Sequence, residues 1–175
     1  GKIIEMDAGE SHSLFIDEVG YLWGFGNNEF GQLGQGDDKY FSDPVCIDGP
    51  RISKVAAGRY HTLYTKNEAL GGMGCNYFPQ VLPSLHPENV KYHEIKNPVE
   101  IWSSNNGKVY LIAAGDLHSA FVVGEERRLL TFGFNKYGQC GTLYENDNNP
   151  YGNEEKLSPS LEVIKTFYNP WIGQE

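Results

Sequence analysis

Residues 56–64 read "AAGRYHTLY", and the same phrase stands at 7–15 as "DAGESHSLF" and at 113–121 as "AAGDLHSAF". Each copy keeps Gly-x-x-His followed by Ser or Thr, and glycines Gly9, Gly58 and Gly115 fall 49 and 57 positions apart. A second phrase travels with the first. "GFGNNEFGQL" (24–33) aligns without gaps on "GMGCNYFPQV" (72–81), and "FGFNKYGQC" (132–140) aligns on 25–33. Gly26, Gly74 and Gly133 therefore coincide, as do Gln32, Gln80 and Gln139. A weaker third mark, a proline before alternating apolar residues, stands at Pro44, Pro98 and Pro159. Self-similarity with a period of about 50 residues is the mark of a repeat architecture. The cycles run at about 8–56, 57–113 and 114–172.

Within each cycle the pattern is that of strands. "HSLFID" (12–17) alternates apolar and polar side chains, "EVG" supplies a turn, and "YLWGF" (21–25) is an aromatic-rich second run. The third cycle repeats this order with "HSAFVV", "GEERR" and "LLTFGF". Helical periodicity is nowhere sustained, and 21 glycines with 9 prolines interrupt any window long enough for a helix. The expected fold class is all-β, with each repeat a blade of a β-propeller.

Composition narrows the function classes. The 175 residues are 39% hydrophobic and 13% aromatic, enough to bury one core. With 14 Lys and Arg against 23 Asp and Glu, a net charge of -9 argues against direct binding to nucleic-acid backbones or anionic membranes. The 3 cysteines form no CxxC pair, so neither a disulfide framework nor a zinc site is indicated and a reducing compartment fits. No apolar run has the length of a membrane span. The expected location is intracellular, cytoplasmic or nuclear.

The combination of "AAGRYHTL" and "AAGDLHSA" with "WGFGNNEFGQLG" resembles the repeat of the regulator of chromosome condensation family, whose members form a propeller of seven blades. The resemblance covers nearly the whole chain. It implies about three blades of a seven-bladed ring, an incomplete propeller over 1–175 whose remaining blades come from the same or another chain. Gly173 falls where a fourth Ala-Gly-x-x-His phrase would begin, so the chain reads as a segment of something longer. Two stretches depart from the repeat, 81–109 and the Asn-rich 144–156, and both read as surface loops.

Chemical motifs find little support. Gly24-x-Gly26 followed by Gly31 misses the dinucleotide-binding spacing, and no Gly-Lys-Ser/Thr follows to make a phosphate loop. Its recurrence makes it turn punctuation, with glycines at special backbone positions and Asn and Gln bonding the turns. "GESHS" (9–13) ends in Ser where a nucleophile elbow needs Gly, and it precedes a strand. "DNNPYG" (147–152) puts Tyr151 where a calcium loop needs an oxygen ligand, and His93-Glu94 lacks a second histidine. His12, His61 and His118 occupy equivalent places in different blades, too far apart for one tetrahedral site. They are expected to be structural, each ring bonded to a neighbouring turn, together with Gly9, Gly58, Gly115 and the Gly26 and Gln32 sets. Cys46, Cys75 and Cys140 read as packing or turn substitutions. No catalytic, cofactor or metal residue is assigned.

Function is then sought on the residues that vary within the fixed phrase: Glu10-Ser11, Arg59-Tyr60 and Asp116-Leu117. A fixed frame with varied tips is how propellers present partner-specific surfaces. Glu10, Arg59, Tyr60 and Asp116 are the candidate protein-binding residues, Arg and Tyr being enriched at binding hot spots. The favoured reading is a non-enzymatic protein-interaction or scaffold module of a larger protein. The alternative is a guanine nucleotide exchange factor for a small GTPase, an activity of some members of the resembling family that no residue here can be matched to.

Overall fold

In the computed structural model, residues 1–82 and 94–141 are described, together with the backbone of 158–163. Among these residues twelve strands form three antiparallel four-stranded sheets, each a simple meander. The first sheet holds β1 (Ile3–Ala8), β2 (His12–Asp17), β3 (Leu22–Gly26) and β4 (Phe41–Asp48). The second holds β5 (Ile52–Ala57), β6 (His61–Lys66), β7 (Ala69–Cys75) and β8 (Glu94–Trp102). The third holds β9 (Val109–Ala114), β10 (His118–Val123), β11 (Arg128–Gly133) and β12 (Ser158–Val163). Each sheet starts one strand before its Ala-Gly-x-x-His phrase, so the sheet and the repeat phase of the sequence are offset by one strand.

The alternation in the sequence shows how the sheets stack. In β2 the residues His12, Leu14 and Ile16 are buried, whereas in β10 the opposite set, Ser119, Phe121 and Val123, is buried. In β6 the five residues His61–Thr65 are all buried. A strand with one covered face shows period-two burial, and a strand covered on both faces shows none. The middle sheet is therefore sandwiched, its neighbours each giving it one face. Leu14, Ile16, Leu22 and Leu33 of the first blade meet Val55, Tyr64 and Met73 of the second in one core. Leu63 and Leu70, on the other face of that blade, meet Phe121, Phe132 and Leu130 of the third.

The segment 81–109 differs from the loop expected of it. Residues 94–102 are strand β8, paired antiparallel with β7, and Ser104–Asn106 form one 3-10 turn. The reason is the alternation of Ile95, Val99 and Ile101 with polar residues, which the proline mark at Pro98 already flagged. The insertion 144–156 lies outside the described residues.

Candidate functional site

The repeated phrase builds a joint between blades. The His12 imidazole lies over Gly9, where an added Cβ would come 2.3 Å from ring Cε1, and His61 lies over Gly58 in the same way at 2.1 Å. These glycines are needed because a ring occupies the space of a side chain. From there His12 Nε2 reaches Thr62 Oγ1 of the next blade at 3.1 Å, and His61 Nε2 reaches Ser119 Oγ at 3.0 Å. The partner is thus a strand hydroxyl one blade on, not the turn expected from the sequence. Thr62 Oγ1 in turn donates to the Gln32 carbonyl at 2.8 Å, and Ser119 Oγ to the Gln80 carbonyl at 2.7 Å. A hydroxyl has one proton. With that proton given to the carbonyl, the hydroxyl accepts from Nε2–H, which assigns the tautomer and leaves Nδ1 unprotonated.

Burial holds this state. Nδ1 of both rings is buried with no hydrogen-bond partner among the described residues, and a charged ring there would be costly. Loss of solvation brings His12 down to about 4 and, helped by the charges of His12 and His118, His61 down to about 3. His118 is half-buried over Gly115 and is also lowered by burial, against the pull of Asp116.

The second phrase makes three copies of one loop. Asn28, Asn76 and Asn135 each accept, through Oδ1, a backbone N–H five residues on, at 2.8, 2.9 and 2.8 Å. Gln32, Gln80 and Gln139 each accept the N–H two residues back, at 2.9, 2.8 and 2.9 Å. Gly26, Gly74 and Gly133 open the loops at φ 107°, 106° and 108°, a region that favours glycine. Because Gly26 pairs with His12 across β2 and β3, these loops and the Ala-Gly turns share one end of the sheets.

At that end the variable tips come together. Arg59 donates Nε to Glu10 Oε2 at 2.7 Å and Nη2 to Glu10 Oε1 at 3.1 Å, a two-bond fork across the first joint. Its Nε stands 3.7 Å from Asp116 Oδ1 on the other side. The guanidinium also lies 5.0 Å from the Tyr60 ring centre, and Tyr60 packs on Phe30 of the previous blade at 4.8 Å. Hydrogen bonding by Arg59 and Tyr60 holds the Glu10 carboxyl below its usual range. All four candidate residues thus form one cluster, around a shallow recess of about 420 Å³ lined by the three Ala-Gly turns. Beneath it Asp7 Oδ2 accepts the Ala57 N–H at 2.9 Å. Asp7, Thr62, Ser119 and Phe30 were not singled out as site residues. The Ser or Thr after each histidine was the available signal for two of them.

Family models of the regulator of chromosome condensation (RCC1) repeat match residues 19–64 and 3–32. These blades are regulator of chromosome condensation repeats. Similar proteins carry them in larger frames. The probable E3 ubiquitin-protein ligase HERC4 of Homo sapiens is 32% identical over 80% of this chain, which spans 13% of that protein. The protein RCC2 homolog of Danio rerio is 30% identical over 88% of the chain and 30% of its own length. Among solved structures, Prp20p of Saccharomyces cerevisiae superposes with a TM-score of 0.73 at 22% identity, over 94% of this chain and 38% of that one. The fold is a partial β-propeller, and the chain spans less than a third of the length of these two curated relatives. No helix among the described residues is long and apolar enough to cross a membrane, which says nothing of strands.

Proposed function

We propose that this run of repeats is a non-enzymatic protein-interaction module within a larger propeller-containing protein, over the whole of 1–175, and that it docks its partner on the end bearing the Ala-Gly turns. The observation that carries this is the cluster Glu10, Arg59, Tyr60 and Asp116, exposed or half-exposed side chains on three turns, the first two of them built on buried histidine joints. The joints repeat while the tips do not, so the frame is common and the recognition specific. Similarity supports protein partners: the Prp20p structure is described with its binding properties to Gsp1p and histones. The remaining blades come from the same or another chain, and the location is the cytoplasm or nucleus. Nucleotide exchange on a small GTPase is the second reading.

One experiment separates them. The full-length protein is compared with its Arg59→Glu and Tyr60→Ala forms in quantitative partner capture, and in nucleotide-release assays across small GTPases. Loss of captured proteins without accelerated release by the parent supports the interaction module. Accelerated release by the parent replaces it with exchange, and capture unchanged by both substitutions moves the docking surface elsewhere.

A further inference from the structure

One blade breaks the repeat at two facing positions. Three residues after each repeat histidine comes an aromatic, Phe15, Tyr64 or Phe121, paired across the sheet with Trp23, Gly71 or Leu130. The next strand places Cys46, Glu100 or Val163 opposite that residue. The first and third blades thus have large apolar residues at the middle position and neutral ones at the outer, whereas the second blade has glycine and glutamate. Gly71 leaves room that the Tyr64 ring partly takes, since a Cβ on Gly71 would come 2.5 Å from Tyr64 Cζ and 2.8 Å from its hydroxyl.

What is left is a cleft of about 510 Å³ between the first and second blades, at the end of the sheets away from the Ala-Gly turns. This volume lies in the range of small-ligand sites, roughly 300–1,000 Å³. Ile47, Pro98 and the Tyr64 ring give it apolar walls, and Asp48, Lys66 and Glu100 give it charge. Lys66 is spoken for: its Nζ donates to Asp48 Oδ1 at 2.6 Å. Glu100 is exposed and has no ion-pair partner among the described residues. The phenol of Tyr64, a residue only 4% exposed, is held protonated by burial and by the Asp48 and Glu100 charges. A net negative cleft with apolar walls and one unpaired carboxylate at its mouth selects a cation on a greasy stem.

We propose that this cleft binds one guanidinium or alkylammonium group carried on a short apolar stem, with Glu100 as its counter-ion. Departures from a repeat rule that face each other and leave a lined cavity are where a function is expected to have been placed. The site is independent of the tip cluster, and its failure leaves the docking surface untouched.

The test is a titration of the full chain with N-acetyl-arginine methylamide, with the lysine analogue, and with the uncharged citrulline analogue, followed at the Gly71, Leu70 and Glu100 amides. Saturable shifts with at least one cation and none with citrulline are expected. Glu100→Gln, at an exposed outer-strand position, should weaken binding about tenfold, the loss of one charged hydrogen bond. Gly71→Leu, restoring the residue type of Leu130, should abolish it. An arginine-centred pentapeptide binding more tightly than the blocked amino acid assigns the cation to a protein segment, and equal affinity assigns it to a free small amine. Equal shifts with citrulline, no saturable shift with either cation, or an unchanged Glu100→Gln titration would overturn the proposal.

Discussion

His61 and His118 carry the same phrase, sit over the same kind of glycine and begin the same strand of their blades, yet their surroundings differ. His61 is fully buried, with Ser119 of the next blade on its Nε2. His118 is half-buried, and no hydrogen bond to its ring is found among the described residues. The motif alone therefore does not define the joint. It supplies half of a lock whose other half is the hydroxyl and the Gln carbonyl of two different blades. The histidine is functional to the architecture only where a neighbour buries it.

Acid should separate the two most strongly. His12 and His61 are lowered in the fold to about 4 and about 3, against an unfolded value near 6.5. Below pH 6.5 the unfolded chain takes protons that the folded rings refuse, so stability is intact above 6.5 and falls as pH drops toward 4 and 3. The loss should be on the order of 3 kcal/mol for each joint histidine by pH 4. Urea midpoints between pH 7 and 5, above the range of ordinary carboxylates, read this directly. Imidazole resonances should show His118 protonating at higher pH than His61. A flat midpoint over that window would mean the joints open without cost.

Glycine substitution should sharpen the same contrast at a smaller magnitude. A Cβ on Gly58 would meet the His61 ring at 2.1 Å and the Gly115 carbonyl oxygen at 2.7 Å, a buried side chain and a backbone of the next blade. One on Gly115 would meet the His118 ring at 2.1 Å, and that ring is half-exposed and can turn away. Gly58→Ala should cost roughly 2–4 kcal/mol in denaturant unfolding, and Gly115→Ala clearly less. Equal losses would show that the glycines serve the turn and not the ring above it.

Much of this architecture was legible from the amino acids because a repeat states each structural need several times. The strand alternation, the glycines at φ near 107° and the Asn and Gln of the loops all announce themselves by recurrence. What stayed hidden joins residues about 50 positions apart, such as His12 with Thr62, His61 with Ser119 and Asp7 with Ala57. Such pairs depend on how sheets stack, and local pattern carries no distance between blades. The Gly71 and Glu100 departure was visible as letters but had no meaning until strand register set them opposite each other. The variable tips stood out in the sequence only as variation on a fixed frame. Their mutual pairing through Arg59 needed the geometry.

The tips should give the smallest effect on stability. Arg59 and Glu10 have side chains 42% and 44% exposed, and water and salt screen a pair so placed. Breaking it also releases the side-chain entropy that the fork consumes. Arg59→Ala should leave the urea midpoint within measurement error of the parent at physiological salt, in contrast to Gly58→Ala on the adjacent residue. Tyr60 keeps its contact with Phe30 in that variant, so the turn itself is not expected to loosen. A resolved destabilisation would make the fork part of the joint, and the cluster would then be holding blades together instead of standing free to meet a partner.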